Sequence, residues 1–314
     1  MTINSNHFVA PVEETPLQAT DSKITDQAPL SLWAEAWKKL RRRPLFIISA
    51  VMILILTVIA LFPGLFTNVA PNENCQLANS LGAPEPGHPF GFTYQGCDVY
   101  ARVIYGTQAS LAVGFLSVIC VLIIGVTLGA IAGYYGGWLD AVLARLGDIF
   151  FALPLILGAL VLTQLPMFRE NKSVWTVVLV ISLLAWPQMA RITRGAVIEV
   201  RNADFVTAAR SLGVSKFGAL LRHVLPNALA PVIVLATLEL GVFIVAEATL
   251  SFLGIGLPPS IMSWGNDISG AQAAIRTNVA ILLYPAAALS ITVLSFIMLG
   301  DAVRDALDPK SRQR

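Results

Sequence analysis

Two carboxylates stand inside an apolar run. Glu239 and Glu247 fall within residues 229–251, a stretch dominated by Leu, Ile, Val and Ala. Ionisable groups in such surroundings mark ion, proton or substrate paths by default, because a charge in hydrocarbon is costly. Their spacing of eight residues is slightly over two helical turns, which sets them within about a quarter turn of each other. Two readings stay open: a water-filled pathway lined by both, or carboxyls hydrogen-bonded to neighbouring helices. Neither forms an acid/base pair. Other chemistry is scarce. His7, His88 and His223 lie far apart in the chain, and the three cysteines show no C-x-x-C or Cys/His spacing, so no metal site is expected. No G-x-x-x-x-G-K-[ST] loop, G-x-S-x-G or H-E-x-x-H occurs. The chain thus shows no means of hydrolysing ATP and no catalytic constellation, and a cofactor of its own is not expected.

The elements that must hold these carboxylates are written in the composition. Of 314 residues, 56% are hydrophobic and 13% charged, whereas a soluble domain carries about 25% charged residues. This is an all-α membrane composition. Residues 1–30, rich in Thr, Asp, Gln, Asn and Pro, cannot bury enough apolar surface to offset their ordering entropy and read as a disordered tail. In residues 31–44, Leu32, Trp33, Ala36, Trp37 and Leu40 share a helical face ahead of the basic cluster Lys38 to Arg43, which suits an interfacial helix on a lipid surface. Six runs of about 20 apolar residues follow, each long enough to cross a bilayer: 45–66, 107–132, 148–166, 174–192, 229–251 and 279–300. The second carries Gly125, Gly129 and Gly133, a ladder of small residues that lets another helix approach closely. Pro154 interrupts the third, and the fourth is expected to end near Trp186-Pro187.

With the N-terminus inside, 17 of the 21 Lys and Arg residues fall on the cytoplasmic side, including those of 191–228, and four fall outside. That bias orients the chain with both termini in the cytoplasm. Residues 67–103 then form a long extracytoplasmic loop holding Cys75 and Cys97, whose compartment permits a disulfide while the sequence leaves the pairing open. Cys120, inside the second run, reads as a small packing residue. Residues 252–278, with their Gly, Pro and Trp, suggest a partly re-entrant outer segment.

One cytoplasmic stretch, Asp204 to Asn227, mixes charged and apolar residues at helical spacing. Asp204 is expected to cap a first helix, Gly213 to end it in the left-handed region, Ser215 to cap a second from Lys216 to Arg222, and Pro226 to force a new start. The pattern also matches a DNA-reading helix-turn-helix. Spans beginning near 174 and 229 tether both ends and the rest of such a domain is missing, so nucleic acid is excluded as a partner.

Thr207-Ala208-Ala209, then Gly213, then His223-Val224-Leu225-Pro226 resembles the EAA loop of ABC importer permeases, with Thr in place of Glu at its first position and His in place of Ile. Residues 88–114, GYYGGWLDAVLARLGDIFFALP (133–154) and EATLSFLGIGLPPSIMSWG (247–265) resemble further stretches of the dipeptide and oligopeptide (DppC/OppC) type, over roughly 31–310 in all. The chain departs from that type at Gly91-Phe92-Thr93 and Gly96-Cys97-Asp98. The resemblance implies a type I ABC importer permease fold of six transmembrane helices, with residues 104–310 as a five-helix core that includes a coupling loop, 193–228. It implies a bacterial cytoplasmic membrane location, and as partners a second, homologous permease in a heterodimer, two cytoplasmic ATPase subunits that bind ATP and Mg, and an extracytoplasmic binding protein. The ATPases would be contacted by Asp204, Thr207, Ala208, Ala209, Arg210, Gly213, His223 and Pro226. The implied cargo is a dipeptide or oligopeptide, with nickel complexes or haem as alternatives in relatives. A self-contained secondary transporter or a membrane enzyme fits less well, since inverted repeats and paired catalytic groups are not visible.

Overall fold

The computed structural model describes residues 32–73 and 75–307. The expected disordered tail, 1–30, and the C-terminal stretch 311–314 lie outside the described residues. Among the described residues twelve α-helices run in the order α1 (Leu32–Leu40), α2 (Pro44–Leu61), α3 (Val99–Tyr135), α4 (Gly137–Phe151), α5 (Leu155–Thr163), α6 (Pro166–Arg169), α7 (Val174–Arg201), α8 (Asp204–Ser211), α9 (Lys216–Ala219), α10 (Leu225–Phe252), α11 (Trp264–Ala271) and α12 (Ala280–Leu307). Among the described residues there is no β-strand. Five helical stretches are long and apolar enough to cross a membrane, or six if the bent pair α4–α5 counts as one span.

Several elements differ from the apolar runs that announce them. The second run, 107–132, lies inside the 37-residue α3; at 1.5 Å per residue that helix is about 55 Å long, well beyond a hydrocarbon core of about 30 Å. Its start is set by Asp98, whose carboxylate accepts from the Ala101 N–H at 2.8 Å, a local cap that hydropathy does not register. The third run is two helices bent by 86°, broken at Ala152–Pro154 because Pro154 has no N–H to continue the ladder. The fourth does not end at Pro187: α7 passes through it to Arg201, held on course by its packing along α3. The sixth likewise continues past 300 to Leu307.

The bundle is built around α7, the most enclosed of the spans. It runs parallel to α3, and the glycine ladder is what brings the two together. A Cβ at Gly125 would meet the Met189 side chain, one at Gly129 would lie 2.4 Å from the Ala190 carbonyl oxygen, and one at Gly133 would crowd Val197 and the Arg194 carbonyl. The main core fills the space between α3, α7 and α10 with Val113, Val121, Val177, Ile181, Met189, Phe243 and Ile244, all fully buried or nearly so. At the outside of this core, α2 packs on α12 and α3 and buries only Ser49, leaving its apolar side chains on the surface as a lipid-facing helix requires. Helix α1 tucks Ala36 and Leu40 against Ala302 and Ala306 at the end of α12. Arg43 Nη1 donates to Asp305 Oδ2 at 2.5 Å beside it.

Candidate functional site

At one end of the bundle, α8 and α9 form a compact projection. Asp204 is the first residue of α8 rather than its cap; Ala203 takes the extended cap conformation, and no side chain caps the helix. The Asp204 carboxylate still stands where the helix dipole favours a negative charge. Helix α8 ends in a Schellman turn: the Gly213 N–H donates to the Arg210 carbonyl (3.0 Å) and the Val214 N–H to the Ala209 carbonyl (3.2 Å). Gly213 adopts φ +93°, with open space around its Cα, so backbone conformation and not crowding demands glycine there. Ser215 Oγ then accepts from the Gly218 N–H at 3.1 Å and opens α9.

The helix that follows does not stop at Arg222 for a new start at Pro226. A π-helical turn, Leu220–Val224, joins α9 to α10, giving one continuous stretch from Lys216 to Phe252. The wider turn absorbs Pro226, whose missing N–H would interrupt regular helical bonding.

This projection is rooted firmly. Val206, on α8, is buried in a small core with Ala130, Ala196, Val197, Leu220, Val224 and Ala228, drawn from α3, α7, the π turn and α10. Arg201, three residues before α8, donates from Nη1 to the Gly133 carbonyl at the end of α3 (2.5 Å). Arg194 makes a forked pair with Asp140 of α4, Nη2 to Oδ2 at 2.7 Å and Nε to Oδ1. Its other surface is open. Thr207, Ala208, Arg210 and Gly213 are exposed, as is Pro226, while Ala209 and His223 are half-buried. Phe205, Phe217 and Leu221 are exposed, and Leu212 is 87% exposed. The structure therefore collects the eight residues named from sequence around one short, apolar-tipped projection.

Glu239 and Glu247 lie elsewhere, along α10. Glu247 is fully buried and is the hub of a polar cluster. Ser110 Oγ of α3 donates to its Oε2 (3.0 Å) and Ser251 Oγ to its Oε1 (2.8 Å). The same hydroxyls accept in turn, Ser110 from the Trp264 N–H (3.3 Å) and Ser251 from the Leu257 N–H (3.1 Å). The Trp264 indole N–H donates to the Val103 carbonyl at 3.1 Å. One carboxyl thus ties α3, α10 and the start of α11 together. Glu239 is also buried, but its Oε2 has no hydrogen-bond partner among the described residues. The serines escaped sequence reading because Ser is unremarkable in an apolar run; the only signal was their combination with an intramembrane carboxyl.

At the opposite end from α8, Cys75 and Cys97 form a disulfide across 22 residues of chain. Next to it, Asp98 Oδ2 hydrogen-bonds His88 Nδ1. Arg102, on the first turn of α3, pairs with Asp267 of α11 (2.6 Å) and donates to Asn72 Oδ1 (2.6 Å). Burial pushes the Asp267 carboxyl up, and the charge of Arg102 beside it works in the opposite direction. Cys120, the free cysteine, packs half-buried against the main core. Among the described residues no group of His, Cys, Asp and Glu could hold a metal ion.

Comparison with known proteins places this arrangement. Residues 125–313 match the family described as "Binding-protein-dependent transport system inner membrane component", and residues 31–84 match the "N-terminal TM domain of oligopeptide transport permease C". The dipeptide transport system permease protein DppC of Alkalihalophilus pseudofirmus is 37% identical over 283 residues, 90% of this chain and 91% of that one. The oligopeptide transport system permease protein OppC of Bacillus subtilis is 32% identical, covering 96% of this chain and 97% of its own. The glutathione transport system permease protein GsiD of Pectobacterium atrosepticum is also 32% identical, over 93% of this chain and 96% of its own. Among solved structures, the MetNI methionine ABC transporter in inward-facing form matches with a TM-score of 0.56 at 20% identity, over 66% of this chain and 96% of that chain. That last likeness is one of fold. The helical architecture, with its five or six candidate spans, and these matches together show that the chain belongs to the inner-membrane permease components of binding-protein-dependent ABC importers, of the type I fold and the DppC/OppC kind.

Proposed function

We propose that this chain is the permease subunit of a peptide importer in a bacterial cytoplasmic membrane, driven by ATP that separate subunits hydrolyse. The observation that carries the proposal is the α8–Gly213–α9 projection: short, with α8 closed by the Gly213 turn and α9 opened by the Ser215 cap, apolar at its tip and locked at its base to α3, α7 and α10. Such an object is suited to transmit rigid-body movement from a docked subunit into the bundle. On this reading two cytoplasmic ATPases bind Mg and ATP, and one of them receives Phe205, Leu212 and Phe217 together with the exposed face of Thr207, Ala208 and Arg210. Gly213 sets the angle at which α9 leaves, and the continuous helix from Lys216 to Phe252 carries the displacement to the far end of α10. The chain itself hydrolyses nothing.

A second, homologous permease completes a heterodimer whose shared cavity carries cargo, and an extracytoplasmic protein delivers that cargo at the disulfide end. The charge bias sets α8 and both termini in the cytoplasm. Glu239, whose Oε2 is unpaired, is the stronger candidate to meet water or cargo along the path when the bundle opens; Glu247, held by two serines, positions α11. Peptide cargo is supported by the relatives named for dipeptide and oligopeptide transport, and those named for glutathione transport favour a second reading in which the cargo is glutathione.

The test is uptake into liposomes holding the complete complex, with dipeptides, longer peptides, glutathione, nickel complexes and haem offered in turn. ATP-dependent accumulation of peptides is expected. Uptake that persists without the ATPase subunits would overturn the proposal.

A further inference from the structure

Helix α1 turns a set of cations outward at the foot of α2. The sequence expects the apolar face of α1 to lie in lipid, yet Ala36 and Leu40 are buried against Ala302 and Ala306 of α12. Helical bonding continues beyond Leu40, the Arg41 N–H donating to the Trp37 carbonyl (3.1 Å) and the Arg42 N–H to the Lys39 carbonyl (3.2 Å). Lys38, Arg41 and Arg42 therefore stand as near neighbours on the side of the helix turned away from α12. All three are exposed, and none has a side-chain hydrogen bond or ion pair among the described residues. The carboxylates nearby do not answer them. Glu35 pairs with Lys39 at 3.6 Å and Asp305 with Arg43 at 2.5 Å, and Asp301, one turn earlier on α12, forms no ion pair among the described residues.

What adjoins the cations is a lipid-facing surface. Leu45, Ile47 and Ile48 are exposed on the first turns of α2, a helix that buries only Ser49. Trp37 is 58% exposed and sets its ring edge-on to Phe46, with centroids 6.0 Å apart. An apolar surface, an indole and unpaired cations are thus brought together at one place. A phospholipid offers the matching parts in one molecule: an acyl chain, a polar boundary that suits Trp, and a phosphate. An acidic segment of a soluble partner would match the cations alone. The cluster is also fixed in position, since the α12 contact and the Arg43–Asp305 bond prevent α1 from moving as a free arm.

From this arrangement we infer that α1 and the foot of α2 form a site for an anionic phospholipid. Lys38, Arg41 and Arg42 hold the phosphate-bearing headgroup, and Leu45 and Ile48 receive the acyl chain. The guanidinium fork suits phosphate oxygens. An anionic headgroup is favoured over a zwitterionic one, because the latter brings its own cation to a cluster that is already positive. The inference needs α2 to be a membrane span and is independent of the cargo.

The test uses the assembled complex in lipid nanodiscs, with a bimane fluorophore on Val51→Cys, exposed one turn beyond Ile48. Cys120→Ala removes the native free thiol, and the partner subunits carry none. Brominated phosphatidylglycerol and brominated phosphatidylcholine serve in turn as quenchers at equal mole fraction. A second reporter, Leu61→Cys, is exposed at the other end of α2, where no Lys or Arg occurs from residue 44 to 101. Phosphatidylglycerol is expected to outcompete phosphatidylcholine at Val51 by about tenfold, with no preference at Leu61. Replacing Lys38, Arg41 and Arg42 together by Gln should bring Val51 level with Leu61, and salt at about 1 M should shrink the preference of the native cluster.

Equal quenching by the two lipids at Val51 overturns the site and leaves the cations to a partner subunit or to a purely topogenic role. An equal preference at Leu61 overturns it too, since the effect then belongs to the whole annulus. A preference that survives the triple Gln variant shows that these side chains do not hold the headgroup. Should that variant fail to insert or assemble, the salt dependence and the comparison of Val51 with Leu61, both on the native cluster, decide the matter.

Discussion

Glu247 and Gly213 show how differently single residues can matter in one chain. Glu247 accepts from two hydroxyls that have no other carboxylate within reach in their hydrogen bonding. Its replacement by Ala leaves those hydroxyls buried with acceptors gone, a loss of about 2–3 kcal/mol, whereas Gln keeps an acceptor and the shape. The Glu247→Ala protein should therefore melt well below the parent in detergent, with Glu247→Gln in between; an Ala variant that melts like the parent would refute the hub role. Gly213 has no such partners. A Val there must adopt φ near +93°, at a cost of about 1–2 kcal/mol for a residue with a Cβ and more for a β-branched one, or else the α8–α9 angle changes. Gly213→Val should insert and assemble normally, and the complex should continue to hydrolyse ATP while peptide uptake falls. Full uptake by this variant would show that the turn geometry is not what transmits the movement.

At the scale of elements, the parallel pair α3 and α7 depends on backbone approach. A Cβ at Gly129 would fall 2.4 Å from the Ala190 carbonyl oxygen, which cannot swing aside as a flexible side chain would. Gly129→Val should thus separate the helices, with a fall in melting temperature and in the yield of monodisperse protein on size-exclusion chromatography. Gly195, on the same α7, meets nothing within 4 Å, so Gly195→Ala should be neutral or stabilising by up to about 1 kcal/mol through helix propensity. The pair of variants separates close packing at the α3–α7 seam from a general intolerance of added side chains on these two helices. Long α3 and α7 also explain the π turn before α10. With Leu220 and Val224 committed to the small core under α8, a wider turn lets the helix keep that contact and still accommodate Pro226.

For the whole molecule, the α8 projection and the disulfide occupy opposite ends, so their accessibility reports the orientation of the chain. In intact cells a membrane-impermeant maleimide should label Cys75 once its bond to the buried Cys97 is reduced. A cysteine placed at the exposed Leu212, in a background lacking the native thiols, should react only after permeabilisation. Reaction of the Leu212→Cys variant in intact cells would reverse the orientation and remove the docking role of α8. The two ends differ in kind: one carries a compact projection with an apolar tip, the other carries charge pairs and a cross-linked loop, and α10 connects them.

Much of this was determined by the sequence alone. Six apolar runs, the bias of Lys and Arg, the absence of a phosphate loop and the order Gly213, Ser215 are all local or additive properties; hydropathy sums along the chain, and a Schellman turn closes within a few residues. They suffice for the membrane class and the helix-turn-helix between the fourth and fifth apolar runs. What tertiary structure decided are the properties that depend on residues far apart. Helices α7 and α12 outrun their apolar segments because neighbours, not hydrocarbon, surround their ends, and α7 passes Pro187 because α3 holds it. The sequence favours Glu247 over Glu239 as the residue on a pathway, yet helix crossing gives Glu247 serines 137 and four residues away and leaves Glu239 with an oxygen that has no partner among the described residues. Arg102 and Asp267 are separated by 165 residues, and no spacing rule could join them. Their meeting follows from which turns of α3 and α11 face each other, a choice made by packing over the whole bundle.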